Sequence, residues 1–362
     1  MGPDDNVTNR MTTVPIPTGM DDVTAEWLTA AIGPRFDRAT ITDVERTQIG
    51  TGQIADSVRL ALTWDPPSAG PSTLVAKVTS ASEASRQAAL STRTYEVEVG
   101  FYSQLADQLQ IRRPASYWTG FDEAAAAYGI VLEDLAPAHQ GDQMQGCSVE
   151  EAALALDEIA LLHAPMWGAS GLESYAWLHR GSGTTSPGIG SFLEMLLPGF
   201  LERYADRLTP EVLELVQRVV PKLASAAPAE GPETVVHGDF RNDNLMFGGE
   251  RVCVLDWQTV SIGHAVADVS YFLGGSLLPG DRRAHEDELL ERYRRRLLEH
   301  GVEMSAADVH RDYRRFAFSG MNMAILASML VGRTDRGDEM FVAMADRAGL
   351  HALDHDTEGL LA

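Results

Sequence analysis

Three polar side chains stand where apolar runs stop in the second half of the chain. Asp239 and Asn244 lie in a polar loop between two apolar segments, and Asp256 follows the next apolar segment. We expect these segments to be strands and the three side chains to face a cleft at their ends. A carboxylate can orient an attacking hydroxyl, and carboxylate and amide oxygens suit Mg²⁺. The pattern predicts phosphoryl transfer, with Asp239, Asn244 and Asp256 as catalytic residues and the last two as metal ligands.

Lysine is rare in this sequence. Of 29 lysine and arginine residues only Lys77 and Lys222 are lysines, and Lys77 lies within an apolar strand. A compact ammonium on a flexible stem there favours a phosphate-binding role, although an edge-strand lysine that discourages aggregation is the alternative. Glu98, on the helix that follows, is the predicted ion-pair partner because apolar neighbours mark its side as buried. Glu96 is its competitor for this role.

A glycine-bearing turn, Gly50-Thr51-Gly52, joins two predicted strands near the start of the chain. Backbone amides beside small residues can approach phosphate closely, so Gly50 and Gly52 are predicted to contact the phosphates of a nucleotide. The same kind of turn also joins ordinary hairpins.

Composition limits the classes of partner. The chain has 362 residues and a formal net charge of −23, with a pI of about 4.7. Such acidity argues against a nucleic-acid surface, which needs clustered Lys and Arg, and favours a cationic or neutral partner. No apolar run is long enough for a membrane span, and the two cysteines do not indicate a disulfide framework. We therefore expect a soluble cytoplasmic protein without nucleic-acid or membrane partners, of undetermined oligomeric state.

The chain changes character at Pro137. Before it, alternating apolar patterns predict mainly antiparallel strands with one long helix, and after it amphipathic patterns predict mainly helices. We place the boundary of an N-terminal lobe, residues 1–135, and a helical C-terminal lobe, residues 136–362, at this point. Residues 1–20 read as a flexible arm because they are polar and carry scattered Pro and Gly.

The combined motifs resemble the aminoglycoside phosphotransferase and choline/ecdysteroid kinase-like superfamily. The motifs that carry the resemblance are Val-Ala-Lys77-Val, Glu98 in Glu-Val-Gly-Phe-Tyr, Val-Leu-Glu133-Asp134-Leu135, His237-Gly238-Asp239 with Asn244, and Leu255-Asp256-Trp257. The resemblance implies an α+β, bilobal protein-kinase-like fold, with a small antiparallel-sheet N-lobe, a larger mainly helical C-lobe and ATP between them. It also implies Asp239 as base, Asn244 and Asp256 on Mg²⁺, Lys77 on the α/β-phosphates, and Glu133, Asp134 and Leu135 as a hinge against adenine.

Two departures from the protein-kinase pattern point to a small-molecule substrate. Gly238 stands where protein kinases keep an Arg that reads a phosphorylated activation loop, and Trp257-Gln258 replaces Phe-Gly after the metal Asp. Gln258 also stands where many relatives have an acidic residue, so a carboxylate that could make a secondary metal contact is not available at this position.

The sequence therefore predicts an ATP- and Mg²⁺-dependent phosphotransferase acting on a small-molecule hydroxyl, such as an aminoglycoside or other antibiotic, or a sterol-like or choline-like alcohol. One alternative is a nucleotide-binding pseudokinase with a regulatory role. A second is a metal-dependent phosphohydrolase that uses His237, Asp239 and Asp256 as ligands. The kinase prediction requires Lys77, Asp239, Asn244 and Asp256 to face one cleft.

Overall fold

The computed structural model describes residues 14–50, 54–168, 171–181, 188–226 and 229–360. The chain forms two compact units. One consists of the chain up to Val99 together with Ala115–Asp134, and the other consists of Gly100–Pro114 and the chain from Leu135 onward. Within the described ranges, no helix combines the length and apolarity that crossing a bilayer requires.

The first unit is organised around a five-stranded antiparallel sheet of order β1-β2-β3-β5-β4. Its strands are β1 (Thr40–Ile49), β2 (Ala55–Asp65), β3 (Thr73–Thr79), β4 (Ser116–Asp122) and β5 (Ala127–Glu133). Helix α1 (Ala25–Ile32) contributes to the apolar core, and α2 (Glu83–Ser91) and α3 (Thr94–Gly100) follow β3. Lys77 lies in β3 opposite Ser57 of β2 and Ile130 of β5. Because β3 has neighbours on both sides, the edge-strand interpretation of Lys77 is wrong.

Part of the predicted flexible arm is packed. Residues 1–13 lie outside the described ranges, but residues 14–20 run along the first unit. The indole Nε1 of Trp27 donates to the carbonyl of Pro15 at 2.7 Å, and Pro17 is buried. Ile16 and Met20 pack against the core. Composition misled the prediction here because Pro and Gly restrict secondary structure without preventing apolar neighbours from docking.

The second unit is mainly helical. Its helices from Leu135 onward are α4 (Val149–His163), α5 (Ile189–Tyr204), α6 (Pro210–Leu223), α7 (Ala265–Ser276), α8 (Pro279–Glu299), α9 (Ala306–Arg315), α10 (Ser319–Leu330) and α11 (Asp335–Asp354). Two small antiparallel sheets accompany them, in the orders β10-β7 and β6-β8-β9. Their strands are β6 (His139–Gln140), β7 (Thr234–Val236), β8 (Leu245–Phe247), β9 (Cys253–Val254) and β10 (Ser261–Gly263).

Helix α7 is the central element of the second unit. All of its residues are buried, as expected of a helix that is apolar on every side. It nevertheless carries Asp268 and Tyr271. Buried polar side chains need hydrogen-bond partners, so these two residues must be paired inside the unit.

Two predicted helices are interrupted. The apolar pattern over residues 82–109 predicts one helical stretch, but it breaks where Arg93 takes a left-handed φ of 57°, and after α3 it continues as a π-helical segment, Phe101–Leu105. The pattern over residues 305–331 also predicts one helix, which the structure splits into α9 and α10 at residues 316–318. Apolar periodicity alone cannot predict a change of chain direction that occurs within one or two residues.

Residues 100–114 were predicted in the N-terminal lobe but belong to the second unit. Phe101 stacks on Trp257 with ring centroids 4.0 Å apart and planes 6° from parallel. The backbone N–H of Arg112 donates to Glu158 Oε2 at 2.9 Å, and its carbonyl accepts from the N–H of Val254 at 2.9 Å. The segment follows α3 directly in the sequence, and the local apolar pattern does not indicate that the chain passes into the other unit here.

Candidate active site

The loop between β7 and β8 carries two of the three predicted catalytic residues, Asp239 and Asn244. His237 is fully buried, its Nε2 lies 2.9 Å from the carbonyl of Leu255, and its Nδ1 accepts from the N–H of Asp239 at 3.3 Å. Because Nδ1 accepts, the proton is on Nε2, which donates to Leu255. Both ring nitrogens of His237 are therefore engaged. This imidazole braces the loop, and the phosphohydrolase alternative loses one of its three proposed metal ligands.

Asp239 is surrounded by hydrogen-bond donors. Its Oδ1 accepts from the hydroxyl of Tyr271 at 2.7 Å, and its Oδ2 accepts from Asn244 Nδ2 at 3.0 Å and from Arg241 Nε at 3.2 Å. Burial and the negative charge of Asp239 raise the pKa of Tyr271 well above its ordinary value, so the phenol stays protonated and donates. The Asp239 carboxylate, itself only 16% exposed, is thus held in one orientation.

Asn244 and Asp256 meet at one end of the β8-β9 hairpin. Leu245 pairs with Val254, and the N–H of Leu255 donates to the carbonyl of Asn244 at 2.8 Å. Asp256 therefore lies one residue beyond the backbone partner of Asn244. It takes a left-handed conformation, φ 62° and ψ 71°, of the kind that side chains other than glycine adopt mainly at functional sites and turns. Gln258 Nε2 donates to Asp256 Oδ2 at 3.1 Å.

The side-chain oxygens at this end of the hairpin are suitable for a hard cation. Carboxylate and amide oxygens are the ligands that Mg²⁺ takes from proteins, usually one or two of them with phosphate and water completing the octahedron. Asp256 and Asn244 supply this kind of donor set. Gln258 donates to Asp256, so it acts on the orientation of Asp256 and adds no second negative charge.

Arg241 forms part of the same loop network. Its guanidinium donates to Asp239 Oδ2 and, through Nη1, to Asp243 Oδ2 at 2.6 Å. Burial alone would lower its pKa, but the nearby Asp239 and Asp243 carboxylates outweigh that effect and raise it, so the cation persists. Arg241 therefore links two carboxylates of the loop.

Asp268 of α7 accepts hydrogen bonds from the backbone of the loop between β7 and β8. Its Oδ2 accepts from the N–H of His237 at 2.7 Å and its Oδ1 from the N–H of Gly238 at 3.0 Å. His163 Nε2 lies 3.2 Å from Oδ2, and His163 Nδ1 lies 2.8 Å from the hydroxyl of Tyr293. The neutral tautomer with the proton on Nε2 satisfies both contacts of this imidazole. Burial raises the pKa of Asp268, but these donors more than compensate, so it lies below its ordinary value.

Gly238 fits its position for a conformational reason. Its φ of 81° lies in the left-handed region, where a Cβ is strained, and its N–H must point at Asp268. An arginine at this position would have to adopt that backbone conformation. The shape of the loop therefore favours glycine over arginine at this position.

The first unit holds the predicted phosphate-binding lysine. Lys77 Nζ lies 2.7 and 2.8 Å from the two carboxylate oxygens of Glu98, and the Tyr128 hydroxyl donates to Glu98 Oε2 at 2.5 Å. Glu98 is buried, whereas Glu96 forms an ion pair with Arg93 at the surface. The competition that the sequence left open between these two glutamates is thus decided in favour of Glu98.

Three other predicted nucleotide contacts, Gly50, Glu133 and Asp134, lie at or just beyond the ends of strands. Gly50 follows β1 with a φ of 67°, and an added Cβ there would meet no atom within 4 Å, while Gly52 lies outside the described residues. Glu133 ends β5 and brackets Ala115, donating its N–H to the Ala115 carbonyl at 2.8 Å and accepting at Oε2 from the Ala115 N–H at 3.0 Å. Asp134 forms an ion pair with Arg59 at 2.8 Å.

Leu135 is the first residue of the second unit after β5, and its carbonyl accepts from the N–H of Ala138 at 2.9 Å. The roles of these five residues toward a nucleotide stay predictions.

The sequence alone did not identify two residues of the second unit, Asp268 and Tyr271. Both are polar residues inside an apolar helix, four and seven residues after His264. That position was a usable signal, because a charged residue that is completely buried must have a partner. What the signal could not supply was the identity of the partner.

Comparisons with known proteins identify the family of this chain. The family model described as "Phosphotransferase enzyme family" matches residues 73–316, more than half of the chain. Among curated proteins, acyl-CoA dehydrogenase family member 10 of Mus musculus is 39% identical over 93 residues, which are 25% of this chain and 9% of that protein. Family member 11 of Gallus gallus is 29% identical over 121 residues, 33% of this chain and 14% of that protein. The matched region is therefore a small part of these relatives' length.

Solved structures show the same fold at low identity. Choline kinase of Cryptosporidium parvum aligns with a TM-score of 0.55 and 12% identity over 88% of this chain and 91% of that one. A spectinomycin phosphotransferase in complex with ADP and spectinomycin aligns with a TM-score of 0.53 and 12% identity over 92% and 97%. The predicted α+β kinase-like fold, with an antiparallel-sheet unit and a mainly helical unit, is confirmed. The chain belongs to the phosphotransferase enzyme family, as its motifs had indicated.

Proposed function

We propose that the protein transfers the γ-phosphoryl group of ATP, with Mg²⁺, to a hydroxyl group of a small molecule. The observation that carries the proposal is the setting of Asp239, which is oriented by Tyr271, Arg241 and Asn244. Family membership supplies the reaction class. The ADP named with the related spectinomycin phosphotransferase supports a nucleotide donor.

In this mechanism Asp239 orients the acceptor hydroxyl and takes up its proton. The acceptor oxygen forms a bond to the γ-phosphorus as the bond between that phosphorus and the leaving oxygen of ADP breaks. Phosphoryl transfer through a loose transition state requires positioning more than a strong base. The donors around Asp239 fit that requirement because they fix its carboxylate.

Asn244 and Asp256 would hold Mg²⁺, which neutralises phosphate charge when it is bound. Lys77, positioned by Glu98, would bind the α- and β-phosphates, and backbone amides near Gly50 and Gly52 would approach them. Glu133, Asp134 and Leu135 would form the adenine-binding hinge. These roles are extended from the family resemblance, and the local contacts of Lys77 with Glu98 support the first of them.

The acceptor is proposed as a class. A net charge of −23 favours a cationic alcohol, such as an aminoglycoside or a choline-like compound. The names of the curated relatives refer to acyl-CoA, so we include hydroxylated acyl thioesters among the candidate acceptors. Apolar residues of α10 could line a site for a sterol-like or macrolide-like acceptor, but they contribute mainly to the helical core: Met321, Ala324 and Ile325 are fully buried.

The test is a screen for ADP formation from ATP and Mg²⁺ with cationic alcohols, hydroxylated acyl thioesters and apolar alcohols, followed by mass spectrometry for an added phosphate. Asp239→Asn should abolish transfer while leaving nucleotide binding nearly unchanged. Asp281→Asn, an exposed position near the start of α8, is the matched control and should retain the wild-type rate. Full transfer by Asp239→Asn would remove the mechanism. Nucleotide binding without transfer to any acceptor would favour the pseudokinase alternative.

A further inference from the structure

A second cluster of polar side chains lies within the helical unit, on residues that the proposed reaction does not use. Glu286 projects from α8, His351 from the last turns of α11, and His355 follows directly after α11. One ligand atom from each of the three residues lies within 4.8 Å of the others. Glu286 Oε1 and His355 Nε2 are already 3.1 Å apart.

His351 is the unusual member of the cluster. Its side chain is completely buried, yet within the described residues neither ring nitrogen has a hydrogen-bond partner. Burying an imidazole without hydrogen-bond partners is unfavourable, and such groups in folded proteins call for an explanation. The ring is also closely confined, because a Cβ on Gly274 would come within 2.4 Å of His351 Nδ1. A ligand bound to the other nitrogen would relieve part of this cost.

We propose that Glu286, His351 and His355 form a binding site for a late first-row divalent cation, with Zn²⁺ as the best fit. Two imidazole nitrogens and one carboxylate oxygen are ligands that Zn²⁺ takes, with bonds of about 2.0–2.2 Å. Tetrahedral ligands at that bond length are separated by about 3.3 Å, close to the Glu286–His355 distance. Mg²⁺ and Ca²⁺ prefer oxygen ligands, so the cation class differs from that of the proposed catalytic site.

The surroundings orient the carboxylate for this task. Glu286 Oε2 accepts from the hydroxyl of Tyr313 at 2.9 Å and from Arg282 Nη1 at 2.6 Å, which leaves Oε1 directed at His355. Hydrogen bonds of this kind fix ligand geometry at metal centres. The positive charge of buried Arg282 opposes a cation, but Arg282 also pairs with Asp354, which compensates that charge.

The site has a route to solvent and a place in the fold. His355 and Glu286 have side chains 18% and 13% exposed, so a cation can enter from that side. The two histidines are four residues apart and therefore share one face of the chain at the end of α11. A bound cation would fasten the C-terminal end of α11 to α8.

The experiment uses the full chain, stripped with a chelator and equilibrated with excess Mg²⁺. Zn²⁺ or Co²⁺ is then added, bound metal is measured by equilibrium dialysis with elemental mass spectrometry, and the visible absorption of Co²⁺ reports its coordination. We expect one equivalent per chain, a tetrahedral Co²⁺ spectrum and a rise in Tm on Zn²⁺ addition. His355→Gln and Glu286→Gln should each weaken binding at least tenfold.

Two control variants separate this site from others. His310→Gln replaces a histidine of α9 that is 44% exposed, and Asp256→Asn removes a proposed Mg²⁺ ligand; both should keep the Zn²⁺ affinity. The proposal is overturned if the wild-type chain takes up less than one equivalent, or if Glu286→Gln and His355→Gln bind as tightly as wild type. If one variant does not fold, the other variant and the Co²⁺ spectrum of the wild-type chain still test the proposal.

Discussion

Asp268 is the residue whose replacement tests the architecture of the active-site loop most directly. In wild type its two oxygens accept from the N–H groups of His237 and Gly238 and from the imidazole of His163. Asp268→Asn preserves size but replaces one oxygen by an NH₂ group. If the amide oxygen takes the place of Oδ2, the NH₂ group faces the Gly238 N–H, and two donors oppose each other in a buried site.

The expected loss in the free energy of unfolding follows from these contacts. One hydrogen bond to a charged acceptor is lost, worth about 1.5–3 kcal/mol, and a buried donor is left unsatisfied at about 1–3 kcal/mol. We expect Asp268→Asn to lower the free energy of unfolding by about 3–5 kcal/mol at neutral pH. Urea unfolding followed by circular dichroism and tryptophan fluorescence measures the change, with Asp281→Asn as control.

The pH dependence of this difference has a definite sign. The pKa of Asp268 is lowered in the folded state, against an unfolded value of about 3.9. Its contribution is therefore fully present above the unfolded pKa and is lost as pH falls through the folded pKa. Asparagine does not titrate, so the gap between wild type and variant should be constant above about pH 5 and should narrow on acidification. A neutral-pH gap below about 1 kcal/mol, or one that is unchanged in acid, would refute the role of Asp268 as a charged acceptor.

Three further predictions rest on the proposed phosphotransferase reaction. Tyr271→Phe removes one hydrogen-bond donor to Asp239, so kcat should fall about tenfold with little change in KM for ATP. This fall corresponds to a loss of about 1.4 kcal/mol of transition-state stabilisation. An unchanged kcat would show that the phenol does not orient the base. Glu98→Gln leaves Lys77 without its anionic partner, and KM for ATP should rise about tenfold by the same conversion; steady-state kinetics at varied ATP that show no rise would contradict the clamp. Asp256→Asn should raise the Mg²⁺ concentration needed for half-maximal rate, measured by Mg²⁺ titration at saturating ATP, and an identical titration curve would remove Asp256 as a ligand.

The sequence by itself determined the local arrangement of the candidate residues. Asp239, Asn244 and Asp256 are close in the chain and joined by one short hairpin, so pairing of β8 with β9 suffices to bring Asn244 and Asp256 together. Helix caps are also local: Ser148 and Glu151, three residues apart, form a reciprocal cap at the start of α4. Such features depend on backbone geometry over a few residues, which is why residue type and spacing predict them.

Tertiary structure decided which distant groups complete the site. The choice of Glu98 over Glu96 depends on how α3 packs on the sheet, where Tyr128 also donates to Glu98. Asp268 and Tyr271 reach the catalytic loop from a helix about 30 residues away, and their partners follow from the packing of α7 rather than from any local pattern. Packing of buried groups is set jointly by all their neighbours, so spacing along the chain indicates which residues need a partner but cannot identify that partner.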